Sequence, residues 1–466
     1  TSRATIAPMS VPHPEIFKAY DIRGIVGHSL TPQIVRQIGR AVGSEALAAG
    51  DRAVVIGRDG RLSGPAISDA LIEGICTTGC DAVDIGMVPT PLTYFATYAL
   101  DIGSAVSVTG SHNPPDYNGL KIMIGTHTLA AERIQDLRKR IEAESFAEGQ
   151  GARRTENVVP TYMQRVAGDI QLNRPLKVVT DCGNGVAGMA APQLMREIGC
   201  EVIELYSEID GTFPNHHPDP SVADNLVQLI EAVREEKADL GLAFDGDGDR
   251  LGVITDTGQV IWPDRQMILF AQDILTRNPD AKILYDVKCT RLLPKAIEDA
   301  GGEPLMWKTG HSFIKAKLRE TGGAFGGEMS GHLFFKERWY GFDDALYAAA
   351  RLCEVLSGDN RPPSMVFAEI PDTVNTPELR IEMNEGEHHA LIQELVANGD
   401  FSGGSVCNID GVRVDFEDGF GLARASNTTP TVILRFEADT TSALQRIQDL
   451  YRTQILALRP KLTLPF

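Results

Sequence analysis

Two polar runs hold residue types that could act together on a phosphoryl group. Val108-Thr-Gly-Ser111-His112-Asn-Pro114 offers an exposed serine in a polar loop, and Asp245-Gly-Asp247-Gly-Asp249-Arg250 sets three carboxylates at every second position. A glycine-flanked serine after the small, β-rich run 103–109 presents its hydroxyl at a strand's carboxyl edge, where open α/β sheets bind ligands. His112 and Lys121 supply cations that could hold a phosphoryl group. In the acidic run the glycines remove bulk, so the backbone can wrap and aim three oxygens at one hard cation such as Mg2+. An EF-hand does not fit, because Arg250 stands where the sixth loop position needs glycine and no glutamate stands at the twelfth. Carboxylates this close repel one another without a cation. Phosphoryl transfer is the chemistry the pair points to.

Two further loops have the composition of ligand grips. Gly326-Gly-Glu328-Met-Ser330-Gly-His332 places a carboxylate and a hydroxyl two residues apart, which suits hydrogen bonding to neighbouring sugar hydroxyls. Arg424-Ala-Ser426-Asn427-Thr428-Thr429-Pro430 joins a guanidinium to consecutive hydroxyl and amide donors, as a phosphate dianion requires. Cys182-Gly-Asn-Gly-Val-Ala-Gly188 matches the dinucleotide-binding pattern of glycines, with Glu204 at the distance of a ribose-binding acid. The equivalent turns in the two related segments lack those glycines, so a tight strand-to-helix connection is the better reading.

These loops are positioned by a repeated plan. Three segments run from a β-branched strand to an aspartate, a polar turn, an apolar-periodic helix, a glycine stop and a second strand: from Ala53 through Asp59 to Ile85, from Lys177 through Asp181 to Leu205, and from Ile283 through Asp286 to Trp307. From aspartate to glycine the spacing is about 20, 18 and 15 residues, one helix plus a turn. Three related α/β domains with mostly parallel, mixed sheets follow. The tail differs. Runs at 379–383, 411–416 and 431–436 alternate as half-exposed strands before a helical pattern from Thr441 to about Leu456, a small α+β domain. The expected domains are 1–154, 155–257, 258–370 and 371–466, with Arg361-Pro-Pro and Pro371 marking the last linker.

The 466 residues exceed what one core organises, consistent with several domains. A formal charge of −19 opposes non-specific nucleic-acid binding, so an anionic substrate needs a locally basic site. No apolar run approaches the roughly 20 residues that span a bilayer. Seven scattered cysteines without a CxxC pair, and no apolar leader, point to a reduced cytoplasmic protein. About the first ten residues are expected to be frayed.

With these loops in this order, the chain resembles the α-D-phosphohexomutase superfamily, in its bacterial phosphomannomutase/phosphoglucomutase branch, over essentially its whole length. The resemblance implies four domains around a central active-site cleft. It makes Ser111 the phosphorylated serine, with His112, Lys121 and Arg23 as catalytic neighbours. Asp245, Asp247 and Asp249 would hold Mg2+ with a phosphoserine oxygen, and Arg250 would lie beside them. Glu328 and Ser330 match the sugar loop, and Arg424, Ser426, Asn427 and Thr428 the phosphate loop. Tyr20, Lys288, His311 and His332 match further positions lining the site.

The implied reaction interconverts hexose 1- and 6-phosphates of glucose and mannose. Phosphoserine 111 donates to the free hydroxyl, and the hexose 1,6-bisphosphate turns end for end before returning the other phosphoryl group. Mg2+ is the implied cofactor and glucose 1,6-bisphosphate the activator; the expected partners are small phosphosugars, with no nucleic acid or membrane, and the chain a monomer. Its products would feed nucleotide sugars and exopolysaccharide. The general base stays open, because phosphate raises a lysine's pKa and hydrogen-bonded histidines are common structural groups. Alternatives are a phosphoglucosamine mutase, a Mg2+-dependent phosphosugar phosphatase, and a phosphosugar-binding protein without turnover.

Overall fold

The computed structural model describes residues 12–466, so the expected frayed amino end lies largely outside the described residues. The chain forms two units, one running up to Leu251 and including Asp344–Glu354, the other comprising Gly252–Asp343 and Val355–Phe466.

All three repeats take the expected form. In the first unit, strand Ala53–Arg58 leads through helix Gly64–Cys76 to strand Asp81–Met87, and the two strands pair in parallel. Strand Lys177–Asp181 likewise leads through helix Ala191–Glu197 to its parallel partner Glu201–Leu205. In the second unit, Lys282–Asp286 leads through helix Leu292–Asp299 to parallel Glu303–Trp307. The first strand of each repeat is buried along nearly its whole length and shows no alternation, because both sheet faces are covered there, whereas the edge strands Glu201–Leu205 and Glu303–Trp307 stay part-exposed.

The sheets are mixed where site residues enter. Strand Tyr117–Ile124 runs antiparallel to Ser104–Val108 on one side and to Ile22–Ile25 on the other. Arg23 pairs with Gly119, so the two-residue strand period brings Arg23 and Lys121 to one face.

The tail is an antiparallel sheet whose helices Glu387–Asn398 and Thr441–Leu458 share its core with Val414, Leu434 and Phe436. Its strands are not generally half-exposed. Leu379–Glu382 is, but Gly419–Ala425 and Thr431–Ala438 are buried at every position. The polar residues that looked solvent-facing bind the preceding domain. Arg413 donates to the carbonyls of Val287 and Cys289, both at 2.7 Å, and its guanidinium stacks 3.9 Å from the Phe420 ring. Arg435 donates to Asp264 and to the Lys288 carbonyl, while Thr290 donates to Glu437 at 2.7 Å.

Candidate active site

Ser111 follows strand Ser104–Val108, and its backbone sits at φ 50°, the left-handed region. It is not exposed: only 2% of its surface is accessible, because the hydroxyl turns inward to the acidic loop. Ser111 Oγ donates to Asp245 Oδ2 at 3.1 Å and lies 3.1 Å from His112 Nδ1. Gly246 permits that approach. A Cβ there would meet the Ser111 carbonyl oxygen at 2.3 Å, a backbone atom that cannot swing aside.

The acidic loop leaves strand Leu240–Phe244 fully buried. Asp245 Oδ1 accepts from the amides of Asp249 and Arg250 at 3.0 and 3.1 Å, folding the loop back on its first carboxylate. Lys121 Nζ donates to Asp247 Oδ2 at 2.8 Å and also to Asp249 Oδ2. Thr90, at the start of helix Thr90–Ala99, donates its hydroxyl to Asp247 and its amide to the Asp247 carbonyl. Arg250 Nε approaches Asp245 at 4.0 Å. Burial and the neighbouring Asp249 and Asp247 push the Asp245 carboxyl well up. Burial acts the same way on Asp247, but Lys121 and Thr90 outweigh it and hold that carboxyl below its usual range.

This donor set fits a divalent cation. One oxygen from each of the three carboxylates lies within 4.8 Å of the others, and Asp247 Oδ1 is buried without a hydrogen bond. Three hard oxygens, two of them already beside a cationic lysine, suit Mg2+ rather than a soft metal.

Arg23 donates to Asn113 of the serine loop and to Asp21. Tyr20 is half-buried just before that strand. Around these loops, Arg61, His216 and His217 went unremarked in the sequence, and Asp59 and Asp181 stood out only as the aspartates that close the repeat strands. Asp59 accepts from Thr109 Oγ1 at 2.7 Å, Arg61 reaches the carbonyls of the serine loop, and His217 donates to the His112 carbonyl. His216 pairs with Asp181 at 2.9 Å. The sequence signal for the first two was the charged turn Arg58-Asp-Gly-Arg61 closing a repeat strand. The glycine string at 183–188 is a buttress: the Val186 amide donates to the Gly246 carbonyl, and Glu204 pairs with Arg196 at 2.6 Å.

In the second unit, Glu328 is buried and accepts from the Gly310 amide at 2.5 Å, while its own amide donates to the His332 carbonyl, closing a tight turn that carries half-buried Ser330. Burial raises the Glu328 carboxyl, against the opposing pull of His332. His311 and His332 both face Asp343, at 3.8 and 3.1 Å, together with Lys315 at 2.7 Å. Burial disfavours the Asp343 charge, yet Lys315 and these histidines hold its carboxyl well down. Lys288 pairs with Glu378 at 3.1 Å.

Arg424 is not a loop residue but the next-to-last residue of strand Gly419–Ala425, where its Nε donates to Asp410 at 3.0 Å. The turn beyond it is organised by Ser426 Oγ, which accepts from the amides of Thr428 and Thr429, both at 3.3 Å, with Asn427 half-buried between them.

A serine hydroxyl hydrogen-bonded to the first of three buried, clustered carboxylates, on a multidomain α/β fold, is an arrangement suited to phosphoryl transfer. Family models for the three α/β/α domains and the C-terminal domain of phosphoglucomutase/phosphomannomutase match residues 14–148, 160–258, 262–374 and 378–454. The phosphomannomutase/phosphoglucomutase of Pseudomonas aeruginosa PAO1 is 53% identical over 466 residues, covering 100% of both chains. A Neisseria gonorrhoeae phosphoglucomutase is 52% identical over 445 residues, 95% of this chain and 96% of that one. The crystal structure of a phosphoglucomutase/phosphomannomutase family protein from Burkholderia thailandensis superposes with a TM-score of 0.93 at 53% identity, covering 97% and 99% of the two chains. The chain belongs to the phosphoglucomutase/phosphomannomutase family and is a mutase, an isomerase.

Proposed function

We propose that the chain interconverts the 1- and 6-phosphates of glucose and mannose through phosphorylated Ser111 and a hexose 1,6-bisphosphate that reorients between two transfers. The observation that carries this reading is the Ser111 hydroxyl 3.1 Å from the buried carboxylate of Asp245, with Lys121 bound to the next two. In the forward half, the free sugar hydroxyl attacks phosphorus, the bond from phosphorus to Ser111 Oγ breaks, and the proton of the attacking hydroxyl passes, in the net reaction, to Ser111 Oγ. The second half reverses these steps at the other end of the sugar. His112 Nδ1, 3.1 Å from Ser111 Oγ, is positioned to return and remove the serine proton. Mg2+ held by Asp245, Asp247 and Asp249 would neutralise charge on the transferring group.

Glu328 and Ser330 would bind O3 and O4, whose configuration the two sugars share, so a C2 epimer is poorly distinguished. Arg424, Ser426, Asn427 and Thr428 would hold the phosphate that is not reacting. Tyr20, Arg23, Arg250, Lys288, His311 and His332 would complete the polar lining. The engagement of both histidines with Asp343 supports a lining role over that of a base. The reading includes Mg2+ as cofactor, glucose 1,6-bisphosphate as activator, domain limits at 154, 257 and 370, and a monomer of the cytoplasm. Seven cysteines free of disulfides favour a reduced compartment.

The test is incubation with glucose 1-phosphate or mannose 1-phosphate, Mg2+ and a trace of glucose 1,6-bisphosphate, following hexose 6-phosphate and free phosphate together. Both 6-phosphates with negligible free phosphate are expected. Free phosphate as the main product would make the chain a phosphatase, and activity confined to glucosamine phosphates would replace the substrate. Ser111→Ala is expected to abolish turnover while phosphosugar binding by calorimetry persists, and chelation by EDTA to stop the reaction reversibly.

A further inference from the structure

Arg61 belongs to none of the four loops, yet it is wired into the serine loop at four points. Its guanidinium donates to the carbonyls of Ser111 at 2.9 Å, Asn113 at 2.6 Å, Pro114 at 2.5 Å and Tyr117 at 2.9 Å. Asp59 lies 3.3 Å from Arg61 Nε and accepts from Thr109 Oγ1 and from the Gly110 amide at 3.2 Å. Arg61 is 2% exposed, and the Phe213 ring centroid is 5.3 Å from its Cζ. Gly110 makes room for it, since a Cβ there would meet Arg61 Cζ and Nε at 2.4 Å. Converging carbonyls of an irregular loop need a fork of several donors in one plane, which arginine has and lysine lacks.

We propose that Arg61 is a positioning residue for phosphoryl transfer, holding the carbonyls of residues 111–117 so that Ser111 keeps its left-handed backbone and its Oγ stays aimed at Asp245. The inference rests on the mutase reading above. In that cycle the loop alternates between a neutral hydroxyl and a phosphoserine carrying a charge of about −1.5 to −2. The bonds of Ser111 Oγ to Asp245 and His112 must be rewritten at each transfer. The bonds of Arg61 end on backbone carbonyls rather than on the hydroxyl that changes, so they can hold the loop to one course while its side chain is rewritten. Loss of this anchor misaligns transfer without touching the groups that would grip the sugar.

The test compares Arg61→Met, Arg61→Lys and Gly110→Ala with the unaltered protein, reading kcat, KM, free phosphate released per turnover, and backbone hydrogen exchange over residues 109–117. Arg61→Met is expected to lower kcat at least 50-fold with KM within threefold, to raise the fraction of phosphoryl lost to water, and to speed exchange in the loop at least tenfold. Gly110→Ala, which displaces the guanidinium from the other side, is expected to act in the same direction, and Arg61→Lys to recover part of kcat. Should Arg61→Met fail to fold, Gly110→Ala carries the same readouts. A kcat per folded molecule within threefold of the unaltered protein in these variants, or unchanged loop exchange, overturns the proposal. Absence of mutase turnover in the unaltered protein would instead count against the function, and loop exchange would still decide whether Arg61 holds the serine.

Discussion

At φ 50°, Ser111 occupies a region that side chains branched at Cβ strongly disfavour. Threonine, although chemically able to carry a phosphoryl group, is therefore expected to destabilise the first unit by about 1–2 kcal/mol and to cost most of the activity. Asparagine tolerates this backbone, so Ser111→Asn should be equally inactive yet melt close to the unaltered protein; thermal melts of the two variants separate backbone from chemistry. His216 offers a pH test. Burial pulls its pKa down, but the hydrogen bond and charge of Asp181 outweigh it, and the net value lies above the ordinary 6.5. A histidine raised in the folded state contributes stability that is complete below pH 6.5 and is lost as pH rises through the folded value. Urea midpoints should fall across that window, and His216→Gln should flatten the slope.

The serine and acidic loops meet backbone to backbone, which makes their contact a property of the elements that deliver them. Gly246→Ala would put a methyl 2.3 Å from the Ser111 carbonyl, and is expected to weaken Mg2+ binding at least tenfold by calorimetry as well as lowering kcat. The repeat strands were legible because β-branched runs and glycine stops report local preferences. Strand Gly419–Ala425 was not legible; glycine and alanine dominate it, and burial on both faces erases alternation. The loops bearing Ser111, Asp245, Glu328 and Ser426 stood out because polar residues cluster there between glycines or beside prolines. Thr90 and His217 did not, since their partners are a carboxylate and a carbonyl 157 and 105 positions away in the chain, which no local pattern encodes.

Among the described residues no helix is long and apolar enough to cross a membrane, and the chain's order is instead divided between two units. Arg413, buried in the second, ties the tail sheet to the carbonyls of Val287 and Cys289. Arg413→Met should destabilise that unit by about 2–4 kcal/mol, because it strands the paired Asp415 and two buried carbonyls. Hydrogen exchange should speed in the tail and leave the amides of strand Lys177–Asp181 unchanged. The division has a further consequence for manufacture. The first unit is not contiguous: Asp344 accepts from the Tyr162 hydroxyl at 2.9 Å, and the Ala345 amide donates to the Gly248 carbonyl inside the acidic loop. A ribosome that has delivered Leu251 must add roughly 90 further residues, about 5–20 s of synthesis, before those partners emerge. The nascent acidic loop therefore waits unfinished while a different unit is being made, and a transcript cut short after it would yield all three aspartates of the loop without the Asp344–Glu354 segment that packs on it.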